Sequence, residues 1–218
     1  MNNKIARDEI MTAIRSGSAS QVAQAGPELV PAGGSEKLCG NDRETLINDF
    51  QRYAAQEAAT SERLAGVNDI PPAIARYLQQ QELPLQVIAA GEIFPGGVDW
   101  SLAAELEIIN RPIRPDGDTV VTGCYAGLAE AGAVVTVSSA SFANELQFLA
   151  ATHIVVVPVE RILAGYDELW LVASKEFAAG MPRSMNWIVG PSRTADLGVP
   201  SKLGAHGPAR VHLLVVAR

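Results

Sequence analysis

The sequence predicts an α/β domain built on a Rossmann-like, mainly parallel sheet. Apolar runs such as HIVVVPV (153–159) and VHLLVVA (211–217) are continuous rather than alternating, which is typical of strands buried on both faces. From residue 85 onward, such runs alternate with segments of helical periodicity, which favours helices layered on the sheet. We therefore expect the α/β domain to cover residues 84–218.

The N-terminal part has a different pattern. Residues 4–15 carry apolar side chains at helical spacing with charges opposite, which predicts an amphipathic helix. Residues 16–41 are rich in Gly, Ser, Ala and Pro, which predicts a linker. Two more helices are predicted at 44–59 and at 71–81, where prolines occupy the first turn. Residues 1–83 are thus assigned to an N-terminal helical arm and linker.

The elements of the α/β domain follow in chain order. The Gly- and Ala-rich segment after residue 122 is predicted to be a helix, and 162–178 has apolar residues spaced along one helix face. Short apolar runs predict strands at 85–90, 105–110, 118–122, 133–138, 153–159, 187–190 and 211–217.

Composition and charge exclude several classes of protein. The net charge of −7 argues against non-specific nucleic-acid binding, which requires a basic surface. No apolar run approaches the roughly 20 residues of a membrane span, and the N-terminus lacks the apolar region of a signal peptide. The sequence therefore predicts a soluble, cytoplasmic protein.

The chain has two cysteines, Cys39 and Cys124, which are far apart. Two thiolates cannot hold an ordinary iron–sulfur cluster, which needs four. The three histidines are scattered without the spacing of metal ligands, so no metal site is predicted. The sequence leaves the cofactor undetermined.

The segment GPSRTAD (190–196) follows the predicted strand 187–190. Ligands of open α/β sheets bind beyond the carboxyl ends of strands, so we expect a ligand site here. Gly190 forms a sharp exit from the strand, and Ser192 is placed to cap a short helical turn whose free amides attract anions. A plain turn between a strand and a loop is the alternative.

Charged and hydroxyl side chains of this segment extend the predicted site. Arg193, beside Thr194, supplies a bidentate donor for a carboxylate or a phosphate. Asp196 is placed to orient Arg193, to cap the next turn or to act as a base. These residues predict a site for a small carboxylate or a phosphorylated ligand.

Two further stretches carry candidate catalytic groups. His206, followed by Gly207, lies in a Gly-rich loop before a buried strand, where it can transfer protons or merely hydrogen-bond the turn. Glu130 is the only charged residue between 119 and 131, and a carboxylate in such surroundings suits an acid, a base or a nucleophile. A solvated glutamate at a helix end is the alternative. Gly132 lets the backbone approach a ligand or another helix closely.

Four stretches of the sequence carry a family resemblance: EAGAVVTVSS, HIVVVPVERIL, MPRSMNWIVGPSRTAD and LGAHGPARVHLLVV. Together they resemble the LUD domain of the lactate-utilization protein C family, strongly over residues 120–218. The resemblance implies a Rossmann-like fold similar to ribose-5-phosphate isomerase and CoA-transferases. It also implies a role in the oxidation of L-lactate to pyruvate, beside two partner subunits that carry iron–sulfur clusters.

The motifs of this family are only partly present in the sequence. The family's Glu-Thr-Gly-Thr turn corresponds to Glu130–Ala133, without the threonines, and its Gly-Pro-Ser-Arg-Thr-Ala-Asp motif to Gly190–Asp196, without the acidic residue that follows. Its His-Gly-Pro corresponds to His206–Pro208. The family's Gly-Arg-Ala-Leu-Ser stretch is replaced by SFANELQFLA (141–150).

Three functions fit these observations. The first is a component of a lactate-oxidising system that binds a small anion, with redox chemistry supplied by partners. The second is a non-catalytic scaffold or metabolite sensor on the same fold. The third is a transferase or isomerase of the CoA-transferase type, with Glu130 as the covalent nucleophile. Whether the protein is an enzyme stays open at this point.

Overall fold

The computed structural model describes residues 7–9, 11–13, 42–114, 117–139, 145–194, 202–204 and 206–217. The chain forms two compact units, Met1–Glu36 and Lys37–Arg218. In the first unit, residues 7–9 and 11–13 are helical with exposed side chains, in agreement with the helix predicted there. The predicted linker at 16–41 lies outside the described residues.

The larger unit contains twelve described strands and four α-helices. The helices are α1 (Arg43–Gln56), α2 (Ile70–Gln80), α3 (Glu145–Leu149) and α4 (Tyr166–Glu176). The strands are β1 (Thr60–Leu64), β2 (Gln86–Ala90), β3 (Glu107–Ile108), β4 (Thr119–Gly123), β5 (Ala126–Leu128), β6 (Ala133–Val137), β7 (Thr152–Pro158), β8 (Ile162–Leu163), β9 (Met185–Ile188), β10 (Arg193–Thr194), β11 (Lys202–Leu203) and β12 (Arg210–Val216).

A six-stranded parallel sheet forms the centre of this unit, with the strand order β1-β12-β7-β4-β2-β3. Every residue of β7 is buried, as expected for a strand covered on both faces. The predicted α/β fold with a mainly parallel sheet is confirmed. Its likeness to ribose-5-phosphate isomerase and CoA-transferases stays a prediction.

Helices cover both faces of the central strands. Phe50 of α1 is fully buried in a cluster with Val155 of β7, whereas Ile74 of α2 is fully buried in a second cluster with Ile154. Because successive residues of a strand point to opposite faces, these clusters lie on the two sides of the sheet. Each such side chain contributes about 1.5–3 kcal/mol through burial.

The predicted boundary at residue 84 falls inside the larger unit. Helices α1 and α2 bury their apolar faces in the core, and β1 pairs with β12 at the edge of the central sheet. The sequence of β1, TSERL, has only one buried residue, so its apolar pattern is too weak to predict a strand. Arg63 ties β1 to α1 by donating hydrogen bonds to Gln51 (2.5 Å) and Asn48 (2.7 Å).

Two helix predictions need correction. The Gly-rich segment after β4 forms the antiparallel hairpin β5–β6, since β5 pairs with β6 from Ala126↔Val135 to Leu128↔Ala133. The helix predicted at 162–178 begins only at Tyr166, because β8 pairs with β5 before it. These strands form a second sheet, ordered β8-β5-β6-β9, which takes in the predicted strand at 187–190.

None of the helices in the described ranges has the length and apolar character needed to cross a membrane.

Candidate functional site

The GPSRTAD segment and the loop that contains His206 are held together by backbone hydrogen bonds. The amide of Ser192 donates to the carbonyl of Pro208 at 2.9 Å, and the amide of Gly204 donates to the carbonyl of Ser192 at 2.9 Å. Strands β10 and β11 pair antiparallel, with Arg193 opposite Leu203. The two sequence motifs therefore form one structural unit, which we call the loop pair (190–194 with 202–204 and 206–208).

Six predicted site residues lie within the loop pair, namely Gly190, Ser192, Arg193, Thr194, His206 and Gly207. The side chains of Arg193 and His206 are exposed, and Thr194 is half-buried. A Cβ on Gly207 would lie 3.2 Å from Cβ of Ser192, so the two chains pack closely at this point. The loop pair thus contains the predicted guanidinium of Arg193, the hydroxyls of Ser192 and Thr194, and the imidazole of His206.

The position of the loop pair in the fold differs from the sequence prediction. The strand before it, β9, belongs to the second sheet, and Pro208 lies just before β12 begins. The amide of Ala209 donates to the carbonyl of Ala151, next to the start of β7. The expected location at the carboxyl ends of the parallel strands is therefore wrong, since the loop pair lies at their amino ends.

The helical turn predicted at Ser192 is also wrong for the described part of this segment, residues 190–194. Arg193 and Thr194 are extended in β10, and the Ser192 amide is used by the Pro208 carbonyl. Anion binding here would depend on side chains and not on a helix N-terminus. Asp196 lies outside the described residues.

Gly190 and Gly132 both pack against the end of α1. Their φ angles are +73° and +59°, in the left-handed region that favours glycine. A Cβ on Gly190 would overlap the carbonyl of Glu57, and one on Gly132 would overlap the backbone of Ala54. Close packing explains both glycines, and their part in ligand binding stays a prediction.

Glu130 lies at the start of α4. Its Oε1 atom accepts a hydrogen bond from the Tyr166 amide at 2.8 Å, and its carboxyl group fills the space beside Gly165. Gly165, at the N-cap position, has no side chain to do this itself. The carboxylate also faces the positive end of the helix dipole. The structure thus gives Glu130 a capping position, and its role as acid, base or nucleophile stays a prediction.

A pocket of about 350 Å³ opens at the opposite, carboxyl edge of the parallel sheet. Three segments that follow β2, β4 and β7 meet there with the end of β6. The sequence did not predict this pocket, because its lining residues come from separate strand ends and form no motif. The lining residues are Ala90, Gly91, Glu92, Ile93, Pro95, Gly123, Cys124, Tyr125, Thr136, Val137, Ser139, Pro158 and Arg161.

One cation lies among the lining residues of this carboxyl-edge pocket. Arg161 donates to Oε1 of Glu176 at 3.0 Å, and its guanidinium lies 5.7 Å from the centre of the Tyr125 ring. Burial raises the pKa of the Tyr125 hydroxyl to about 12, and Glu176 adds to this rise. Burial likewise raises the pKa of the free Cys124 thiol to about 12, so this thiol is a poor nucleophile at neutral pH.

The two other histidines lie inside the central sheet. Nε2 of His153 is 2.9 Å from the Thr122 hydroxyl, and Nδ1 of His212 is 2.7 Å from the Thr60 hydroxyl. Burial lowers the pKa of each imidazole to about 4. Neither residue lines the carboxyl-edge pocket. Within the described ranges, no three metal-ligating side chains are grouped closely enough to hold a metal ion.

A family model described as LUD domain matches residues 74–216, which is more than half of the chain.

Curated relatives carry the name lactate utilization protein C. The protein from Bacillus licheniformis is 31% identical over 120 residues, which are 54% of this chain and 49% of the relative. The protein from Bacillus subtilis is 32% identical over 120 residues, which are 54% of this chain and 50% of the relative. The chain thus spans about half the length of these relatives.

The fold has a counterpart among solved structures. A crystal structure of a DUF162 family protein from Deinococcus radiodurans matches with a TM-score of 0.59 and 19% identity. The match covers 81% of this chain and 99% of that chain. At this identity the likeness concerns the fold alone.

Proposed function

This chain belongs to the LUD domain family, and from that premise we propose that it is a component of an L-lactate oxidation system. In this proposal, the chain binds a small anionic ligand, a carboxylate or a phosphorylated compound, at the loop pair. The names of the curated relatives support the metabolic context. The contact between the two motifs, through Ser192 and Pro208, is the observation that carries the proposed site.

Arg193 is the proposed anion anchor. Its side chain is exposed on a short strand pair, so a dissolved ligand can reach it without any change of fold. A guanidinium binds a carboxylate or a phosphate through two parallel hydrogen bonds, which fixes the orientation of the ligand as well as its affinity. The hydroxyls of Ser192 and Thr194, on the same stretch of chain, are proposed as further ligand contacts.

His206 is the proposed proton carrier. It lies two residues before Pro208, whose carbonyl is bound by the Ser192 amide, so its backbone is anchored close to that of Arg193. Interconversion of a hydroxy acid and a keto acid requires removal of a proton from the hydroxyl group, and imidazole is the side chain best suited to such transfer near neutral pH. Asp196 is proposed to orient Arg193.

The redox step is proposed to belong to partner subunits. Oxidation of lactate releases two electrons, and this chain has only Cys39 and Cys124 to offer as thiolates. An ordinary iron–sulfur cluster needs four cysteine ligands. Iron–sulfur subunits are therefore the proposed electron acceptors, and this chain is proposed to present the ligand to them.

The position of Glu130 favours a binding module over a transferase. A carboxylate that accepts the Tyr166 amide and packs against Gly165 is held in place, whereas a covalent nucleophile must be free to attack. The non-catalytic scaffold or sensor is thus the second candidate function, and it uses the same loop pair.

Growth of the native host on L-lactate tests the proposed function. A strain that lacks this chain should fail to grow on L-lactate while growing normally on pyruvate. The wild-type chain and an Arg183→Gln control, at an exposed arginine outside the loop pair, should restore growth, whereas Arg193→Gln should not. Normal growth of the deletion strain on L-lactate would reject the proposal, and full rescue by Arg193→Gln would reject the proposed site.

A further inference from the structure

We propose that the carboxyl-edge pocket is a second ligand site, which binds a monoanionic carboxylic acid with an apolar chain or ring larger than that of lactate. The proposal goes beyond the loop pair, since the two sites share no residue. It stands on the position of the pocket, on its size and walls, and on the charges around it.

The pocket lies where parallel α/β sheets place their ligands. Its floor is formed by the segments that leave β2, β4 and β7, three neighbouring strands of the central sheet. A Cβ on Gly123 would lie 2.9 Å from the carbonyl oxygen of Ile93 and closer still to that of Glu92. Glycine at the end of β4 thus allows the chain that follows β2 to cross it and form one wall. Ligands of open α/β folds bind in this crevice.

The size and walls of the pocket fit an organic molecule with an apolar part. Its volume of about 350 Å³ is at the lower end of the ~300–1,000 Å³ typical of ligand pockets. This volume corresponds to roughly a dozen water molecules, which is more than lactate would fill. Apolar side chains supply much of the wall, namely Ala90, Ile93, Pro95, Val137 and Pro158.

The charges around the pocket favour a single negative charge on the ligand. Arg161 is the cation among the lining residues, and the exposed carboxylate of Glu92 also lines the pocket, so a dianion would be repelled. Arg161 pairs with Glu176, and both side chains are more than 40% exposed, at 46% and 41%. Exposed ion pairs of this kind are weak, so a ligand carboxylate can replace Glu176 as the partner of Arg161.

Two polar side chains among the lining residues, Tyr125 and Thr136, can orient the ligand. The Thr136 hydroxyl donates to Oε1 of the buried Gln147 at 2.7 Å, so its oxygen keeps an acceptor site for a donor on the ligand. The Tyr125 ring lies beneath Arg161 and provides a flat surface for an apolar chain or ring. In this proposal, Arg161 binds the ligand carboxylate, and the apolar lining residues contact the chain or ring of the ligand.

A series of three related probes tests the site on the full-length protein by isothermal titration calorimetry. The probes are phenylpropionate, its uncharged amide phenylpropionamide, and propionate, which lacks the ring. We expect phenylpropionate to bind the wild-type protein at least about tenfold more tightly than either of the other two. Equal affinity for phenylpropionate and its amide, or no binding of phenylpropionate, would overturn the proposal.

Variants then locate the binding. Arg161→Gln should weaken phenylpropionate binding about tenfold or more, Arg161→Lys should weaken it less, and Glu176→Gln should strengthen it several-fold, because Glu176 competes for Arg161. Arg193→Gln should leave it unchanged, which separates this site from the loop pair. Circular dichroism confirms that each variant is folded. Unchanged affinity in folded Arg161→Gln, weaker binding in Glu176→Gln, or loss of binding in Arg193→Gln would each refute the assignment.

Discussion

The backbone amide of Ser192 donates a hydrogen bond of 2.9 Å to the carbonyl of Pro208, and this contact joins two motifs that are separate in the sequence. Gly204 closes the same structure by donating to the carbonyl of Ser192 at 2.9 Å. Arg193 and His206 consequently project from one connected piece of backbone. The loop pair is therefore a local scaffold for side chains, at the amino edge of the parallel sheet.

The cap that Glu130 provides to α4 should be measurable as stability. Glu130→Ala removes the acceptor for the Tyr166 amide, so we expect the free energy of unfolding in urea to fall by about 1 kcal/mol. Glu130→Gln keeps an acceptor oxygen and loses only the charge at the helix end, and its cost should be a few tenths of a kcal/mol. The control is Glu105→Ala, at an exposed loop position. Equal stability of Glu130→Ala and this control would contradict the capping role.

Gly132 should tolerate no side chain. Gly132→Ala would force a Cβ into the backbone of Ala54 at a φ of +59°, so we expect a loss of more than about 2 kcal/mol of stability. Gly97→Ala is the matched control, because Gly97 also has a positive φ of +88° but has no atom within 4 Å of a Cβ. The control should lose only about 1 kcal/mol, from backbone strain alone.

Thermal and urea unfolding of the two alanine variants measure this difference directly. If Gly132→Ala were no less stable than Gly97→Ala, the close packing of the β5–β6 hairpin on α1 would be refuted.

The buried histidines predict a loss of stability at mildly acidic pH. Burial lowers the pKa of His153 and of His212 to about 4 in the folded protein, whereas an unfolded histidine titrates near 6.5. Between these values the unfolded chain binds protons that the folded chain does not. The stabilisation is therefore complete above pH 6.5 and is lost as the pH falls towards 4, by at most about 3 kcal/mol for each histidine.

Urea unfolding at pH 7 and at pH 4.5 tests this dependence. His153→Gln should reduce the difference in the free energy of unfolding between the two pH values, whatever its effect on stability at pH 7. The test compares the pH dependence of the unfolding free energy in the variant and in the wild type. It therefore remains valid even if His153→Gln disturbs the packing of the core. An unchanged pH dependence in His153→Gln would contradict the buried, neutral state of this histidine.

Sequence patterns predicted the buried strands well, because a strand buried on both faces consists almost entirely of apolar residues. The run HIVVVPV is typical of a strand covered on both faces, and β7 is buried along its whole length. The edge strand β1 has no such apolar run, since four of its five residues are partly or fully exposed. Its pairing with β12 depends on contacts distant in sequence, which local patterns do not contain.

The Gly-rich segment after β4 shows why composition misled the prediction of a helix. Small residues such as Gly127 suit close packing, and a Cβ there would lie 3.2 Å from the ring of Phe50. Small residues occur in both helices and tight hairpins, so their spacing alone does not distinguish the two. The hairpin also brings Glu130 to the start of α4, where it contacts Tyr166. These two residues are far apart in the sequence, so no sequence motif could predict their contact.

The two sites differ in how far the sequence could reveal them. The loop pair consists of two contiguous motifs, so its residues could be named before the fold was known. Its place at the amino edge could not, because β9 joins the second sheet instead of the parallel one. The carboxyl-edge pocket is assembled from single residues at several strand ends, including Gly123 and Arg161, and only the three-dimensional structure brings them together.

Titration of the protein with pyruvate and L-lactate by isothermal titration calorimetry tests the proposed loop-pair site most directly. We predict that the wild-type protein and Arg183→Gln bind at least one of these two acids with the same affinity. Arg193→Gln should bind it about tenfold or more weakly, because a hydrogen-bonded ion pair is lost, and Arg161→Gln should bind it as the wild type does. Binding that is unaffected by Arg193→Gln, or no binding of either acid to the wild type, would contradict the proposal that the loop pair binds a small carboxylate.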